Sequence, residues 1–211
     1  MGGCLRACGH FAAAEQIIRP MRELFPNVLS TVSKDLRGAF IVIAAVISVM
    51  GVAACSPTLD WRDWRPAGSG LTLTLPCKPT PQARNVQLAG QSVRMSLHAC
   101  SAGGQTWALA YADMGDPRLL GPALAELRLS AAANVAASSN RALPPLVIAG
   151  ATPHPESGRW ALEGKLADGK SIREELAVFA RGTVVFQATV LGETLPPEGV
   201  AMFFESLRAQ P

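Results

Sequence analysis

Between Ala39 and Ala54 the chain runs AFIVIAAVISVMGVAA without a charge, and Cys55 follows directly. No other segment constrains the molecule as much. Lys34 and Arg37 stand before the run and small residues close it, so it has a basic n-region, an apolar h-region and a cleavage-type end. It falls short of the roughly 20 apolar residues that a spanning helix requires, which favours secretory targeting over a permanent transmembrane helix. An uncleaved anchor is the competing reading. The run divides the chain into a targeting part, residues 1–54, and a mature part that begins at Cys55.

Val52-Ala53-Ala54-Cys55 resembles the lipobox of bacterial lipoproteins: an aliphatic residue, two small residues and a cysteine at the end of a signal segment. The resemblance implies a diacylglycerol thioether on Cys55, cleavage of the Ala54–Cys55 bond and acylation of the new amino terminus. Several acyl chains of this kind hold a protein at a membrane far more firmly than one does. An ordinary signal followed by a stray cysteine is the alternative. In such lipoproteins the residue after the cysteine helps to select the membrane. Ser56 is not the aspartate that retains many of them in the inner membrane, so the outer membrane, facing the periplasm, is favoured. Met21 lies inside the long stretch before the apolar run and would serve as an internal start, so residues 1–54 are expected to hold a signal peptide with a mis-assigned N-terminal extension.

Of the formal net charge of +3, Arg6, Arg19, Arg22, Lys34 and Arg37 against Glu15, Glu23 and Asp35 place +2 before Cys55. The mature part is nearly neutral, with its arginines scattered among Asp and Glu, which argues against a nucleic-acid footprint. Residues 55–70 read as the lipidated cysteine and a tether. Trp61 and Trp64 in that stretch suit either a bilayer headgroup level or, the preferred reading, the cap of a core. Residues 71–211 read as one domain, large enough to bury a core without a metal.

Leu71, Leu73 and Leu75 alternate with threonines as a half-buried strand does. Residues 83–88, the Ala89-Gly90 turn and the alternation of Val93, Met95 and Leu97 with Ser92, Arg94, Ser96 and His98 predict a hairpin, which Trp107, Leu109 and Tyr111 extend. Asp116-Pro117 has the chemistry of a helix start, and Leu120, Leu124, Leu127 and Ala131 at helical spacing predict a helix to about residue 137. Residues 138–145 read as loop and Leu146 to Ile148 as a short strand. Residues 160–166, 172–179 and 184–191, joined at Asp168-Gly169 and Arg181-Gly182, predict a meander. Pro196-Pro197-Glu198 then opens a terminal helix with Val200, Phe203, Phe204 and Leu207 on one face.

The expected fold class is therefore α+β, preceded by a signal-peptide helix: an antiparallel sheet covered by one long helix and a C-terminal helix, with one sheet face toward water. The element order resembles the Mog1/PsbP-like α/β sandwich, including the closing segment Phe203 to Arg208. The Leu75-Pro76-Cys77-Lys78-Pro79 strand end and a later cysteine are similar to those of uncharacterised proteobacterial lipoproteins. Both resemblances imply a fold without an activity.

Cys77 and Cys100 each stand at the end of a predicted strand in a chain expected to mature where disulfides persist, so a bridge between them is expected; two separate thiols are the alternative. No catalytic residue, cofactor or metal is expected. Cys4 and Cys8 lack the ligand count of a zinc site, and His98 and His154 read as surface or turn histidines. No serine sits in a G-x-S-x-G elbow, and Gly103-Gly104 lacks the lysine of a phosphate loop. Glu174 and Glu175, adjacent in a strand, should point to opposite faces. The functional expectation is a non-enzymatic, membrane-anchored envelope lipoprotein that binds or assembles with an envelope protein. A carrier of small hydrophobic ligands, using a pocket between sheet and long helix, is the alternative, and an envelope enzyme is the third reading.

Overall fold

Leucine alternates with threonine in 71–75, and the leucines are buried while the threonines are half-buried, so this short strand turns one face to a core and the other outward. It is the middle of a small antiparallel sheet in the computed structural model, which describes residues 59–166 and 168–209. Its neighbours are β1 (Arg62–Trp64), paired with β2 (Leu71–Leu75), and β10 (Arg208–Ala209), paired with β2 from the other side. The segment expected to be a tether thus supplies a strand. Cys4, Cys8, Met21, the apolar run 39–54 and Cys55 lie outside the described residues.

The main sheet has seven strands, all antiparallel, in the order β3-β4-β5-β9-β8-β7-β6. They are β3 (Thr80–Leu88), β4 (Gln91–Ala102), β5 (Gln105–Asp113), β6 (Ser139–Ala142), β7 (Gly158–Lys165), β8 (Ser171–Arg181) and β9 (Val184–Gly192). The predicted hairpin and meander are present with their expected turns. Residues 139–142, expected to be loop, form the edge strand β6, whereas Leu146 to Ile148 form none. Pro144 and Pro145 explain the exchange, because neither has an N–H to give to a ladder.

Asp116 caps a 3-10 turn over Pro117–Leu119 by accepting the Arg118 N–H at 2.9 Å, and helix α1 (Leu120–Asn134) follows. The helix is shorter than the expected run to residue 137. Ala136 has φ 43°, and the Ala137 N–H returns to the Ala132 carbonyl at 2.9 Å. Beyond it the Lys165 N–H donates to the Val135 carbonyl, which approaches β7 so closely that a Cβ at Gly164 would collide with that oxygen. Helix α2 (Pro197–Glu205) buries Val200, Phe203 and Phe204.

Sheet dominates this α+β domain, and neither face of the main sheet is left to water along its centre, contrary to the expected one-sided sheet. In β8, Leu176, Ala177, Val178, Phe179 and Ala180 are all buried in succession. Leu176, Val178 and Ala180 join Ala112, Val185 and the buried face of α1 in an aliphatic core. Ala177 and Phe179 turn the other way, to Trp107, Tyr111, Phe186, the β2 leucines and α2 in an aromatic core.

Candidate functional site

The cleft lies where the main sheet loses its edge. Strand β7 pairs with β8 only as far as Gly158 opposite Val178, and the chain before it touches β8 again at Thr152, whose N–H donates to the Ala180 carbonyl at 2.8 Å. Between these points the Pro153-His154-Pro155 segment stands off, and the Ser157 N–H closes a turn onto the His154 carbonyl at 3.0 Å. Upstream, Gly150 at φ 77° turns the chain beside β10, and the Ala209 N–H ties the segment down through the Ala149 carbonyl at 2.9 Å. A cavity of about 320 Å³ remains, floored by Ala177, Val178 and Phe179 and walled by Leu146, Ile148 and Ala151.

Its polar groups are few. The Ser157 hydroxyl is buried and has no hydrogen-bond partner among the described residues. The His154 Nδ1 accepts the Glu156 N–H at 3.1 Å. Val147, next to the cleft, is 95% exposed. An apolar cleft with one unsatisfied hydroxyl suits an apolar ligand carrying one polar group. It lies at the sheet edge and not between sheet and long helix, where a pocket was expected.

Two further polar sites lie within the cores. On the aromatic side His98 is 7% exposed, not a surface histidine. Its Nδ1 accepts the Trp64 indole N–H at 3.2 Å, and its Nε2 lies 3.5 Å from the Tyr111 hydroxyl, which donates to the Ala67 carbonyl at 2.7 Å. Burial holds this imidazole below its ordinary pKa, so it is neutral and serves as a hydrogen-bonded brace between β1 and the sheet. The two tryptophans cap the core, as preferred: Trp61 meets Trp107 edge-on at 5.5 Å, and Trp64 packs on His98.

Glu174 and Glu175 do point to opposite faces. Glu175 pairs with Arg159, whose guanidinium lies 4.6 Å from the centre of the Phe204 ring. Glu174 is 5% exposed, beside the aliphatic core, and burial pushes its carboxyl up to about 7 while a hydrogen bond from Thr189 opposes the shift. No lining residue of the cleft belongs to either carboxylate, so no acid–base pair is assembled there.

Cys77 and Cys100 are brought to disulfide distance, with Cα atoms 6.0 Å apart. Cys77 follows β2 and Cys100 lies in β4, so the link fastens the small sheet to the main one. Among the described residues no group of three His, Cys, Asp or Glu could hold a metal ion, and no helix is long and apolar enough to cross a membrane. The cleft had no signal in the sequence beyond the prolines at 144, 145, 153 and 155, which mark irregular backbone without saying what it encloses. Comparison with protein-family models finds no match to the chain, and none of the curated proteins matches it.

Proposed function

We propose that this chain is an exported bacterial lipoprotein, held by lipid on Cys55 at the periplasmic side of the outer membrane, whose domain binds an envelope protein and carries out no chemistry. The observation that carries the reading is the order of parts: an apolar segment closed by Val52-Ala53-Ala54-Cys55, then a domain with Cys77 and Cys100 at disulfide distance. A pair so arranged suits an oxidising compartment, which lies beyond the membrane such a segment would address. We read the domain itself as a Mog1/PsbP-like sandwich; the antiparallel sheet with a helix on each face supports that reading.

Intact-mass measurement of the protein from the membrane fraction tests this, beside a Cys55→Ala variant and before and after reduction. The expected mass is that of Cys55 to Pro211 plus lipid, rising by two hydrogens on reduction. An unlipidated mass that retains residues before Cys55 would remove the lipoprotein reading. Crosslinking in intact envelopes under several growth conditions tests the binding role, which falls if no specific protein is captured.

The cleft favours a second reading, a carrier of small apolar ligands, since about 320 Å³ reaches the lower end of ligand-pocket sizes. Native mass spectrometry with an environment-sensitive apolar dye tests it. One dye should bind per chain and be lost in Ala151→Leu, which fills the cleft; equal binding by that variant sinks the carrier reading.

A further inference from the structure

The small sheet has a second, outward face, lined by threonine, serine, aspartate and arginine. Because Leu71 and Leu73 point into the core, Thr72 and Thr74 point away from it. Arg208 pairs with Thr72 across one edge of β2. On the other edge Asp63 pairs with Thr74 and Trp64 with Leu73, so the next residue, Arg65, continues the register toward Thr72. Arg65, just past the end of β1, thus falls in one row with Thr72 of β2 and Arg208 of β10. Adjacent strands lie about 4.8 Å apart, which sets the two arginine backbones about 10 Å apart, with a threonine between them.

The row lies in a polar groove of about 230 Å³ that also includes Asp63, Thr74 and Ser206. Asp63 is engaged by the Thr74 hydroxyl at 3.0 Å, and Ser206 accepts the Thr74 N–H at 2.8 Å. Arg208, which lines the groove, donates from Nε to the Ser206 carbonyl at 3.2 Å. Neither Arg65 nor Arg208 has a carboxylate within ion-pair distance among the described residues, a condition they share with Arg84, Arg94, Arg128 and Arg141; what sets them apart is that both line one groove. Two guanidiniums that flank a threonine present fork donors suited to the oxygens of a phosphate.

We propose that Arg65, Thr72 and Arg208 clamp the phosphate of an anionic phospholipid headgroup, so that the small sheet faces the bilayer to which Cys55 ties the chain. The choice of a bilayer rests on the lipid-anchor reading. Arg65 is ten residues from Cys55, and a chain of that length reaches at most about 35 Å, so the tether lets this face reach the headgroups. Near an anionic membrane each arginine contributes about 5-fold in occupancy, or about 25-fold for the pair.

The test uses the full chain purified from membranes and placed in nanodiscs of phosphatidylcholine alone or of phosphatidylcholine with phosphatidylglycerol. Phenylglyoxal modification of each arginine is followed by peptide mass. Modification of Arg65 and Arg208 should slow about 5-fold or more in the anionic discs, while Arg141 on the far edge strand keeps its rate. Arg65→Gln should return Arg208 to its unprotected rate. Equal rates in the two discs would overturn the clamp. Equal protection by inorganic phosphate in lipid-free detergent would overturn the headgroup assignment and leave a free-phosphate site. The intact mass of the same sample reads Cys55 separately, so a missing lipid would count against the anchor while the arginine rates still decide the clamp.

Discussion

The two faces of the main sheet are covered by different materials. Under α1 the core is leucine, valine and alanine, and alanines at 112, 123 and 131 let helix and sheet approach closely. On the opposite face the small sheet and α2 enclose stacked and edge-on rings: Phe179 on Phe186 at 4.9 Å, Trp107 against Phe203 at 5.7 Å, and Phe203 against Phe204 at 5.0 Å. Among the described residues each face also buries an acid or a base with no ion-pair partner, Glu174 on the aliphatic side and His98 on the aromatic side. The difference teaches how burial acts on charge: it holds both groups neutral, so it raises the acid and lowers the base, and the two faces answer pH with opposite sign.

The comparison can be broken first by removing a large side chain from each side. Phe203→Ala should cost about 4 kcal/mol and Leu124→Ala about 3 kcal/mol, read from urea unfolding midpoints. An equal or reversed order would mean that the aromatic face is no more tightly packed than its opposite. Replacing Cys77 and Cys100 by serine should cost about 3 kcal/mol, given the separation of 23 residues, and should loosen only the aromatic side, read by amide exchange.

The acid sharpens the comparison. With its pKa lifted from an ordinary 4.5 to about 7, Glu174 keeps its proton in the folded chain over a range in which the unfolded chain has lost it. The folded state then binds more protons, so stability falls as pH rises from 4.5 to about 7, by up to about 3 kcal/mol. Glu174→Gln should flatten this slope and stabilise the protein above neutral pH. His98 acts the other way: with its pKa lowered, the unfolded state takes up the proton first, and stability falls as pH drops below 6.5. The smallest effect is that of Trp64→Phe, which removes the donor to Nδ1. It should cost about 1 kcal/mol and move the His98 titration, followed by NMR, back up toward 6.5.

Most hairpins and both helices of the domain were legible in the sequence because turns and caps are local. Ala89-Gly90, Asp168-Gly169, Asp116-Pro117 and Pro196-Pro197 announce themselves. What covers a face is not local. Strand β4 puts His98 in register with Ser96 and Arg94, which reads as a face toward water, yet the distant β1 covers that end and turns a polar position into a buried one. In β8 the alternation vanishes between Leu176 and Ala180 because both sides are buried, the pattern of a strand between two layers. Strand β6 was missed because all four of its residues are exposed, leaving no apolar period to detect. The cleft was illegible for a related reason: its floor is one strand and its walls come from a loop whose path depends on a bridge from Thr152 to Ala180.

The small sheet joins β1 to β10 through β2, although β1 begins at residue 62 and β10 at residue 208. Such a closure is among the slowest to form, since a long loop must close before its contacts reward it. A chain delivered amino end first can build its hairpins in order of arrival, but Thr72 waits for Arg208, and the aromatic side stays open until the final helix docks. During that interval β2 offers its free edge to any other extended chain nearby. The last residues of the domain thus complete a sheet that the first ones begin.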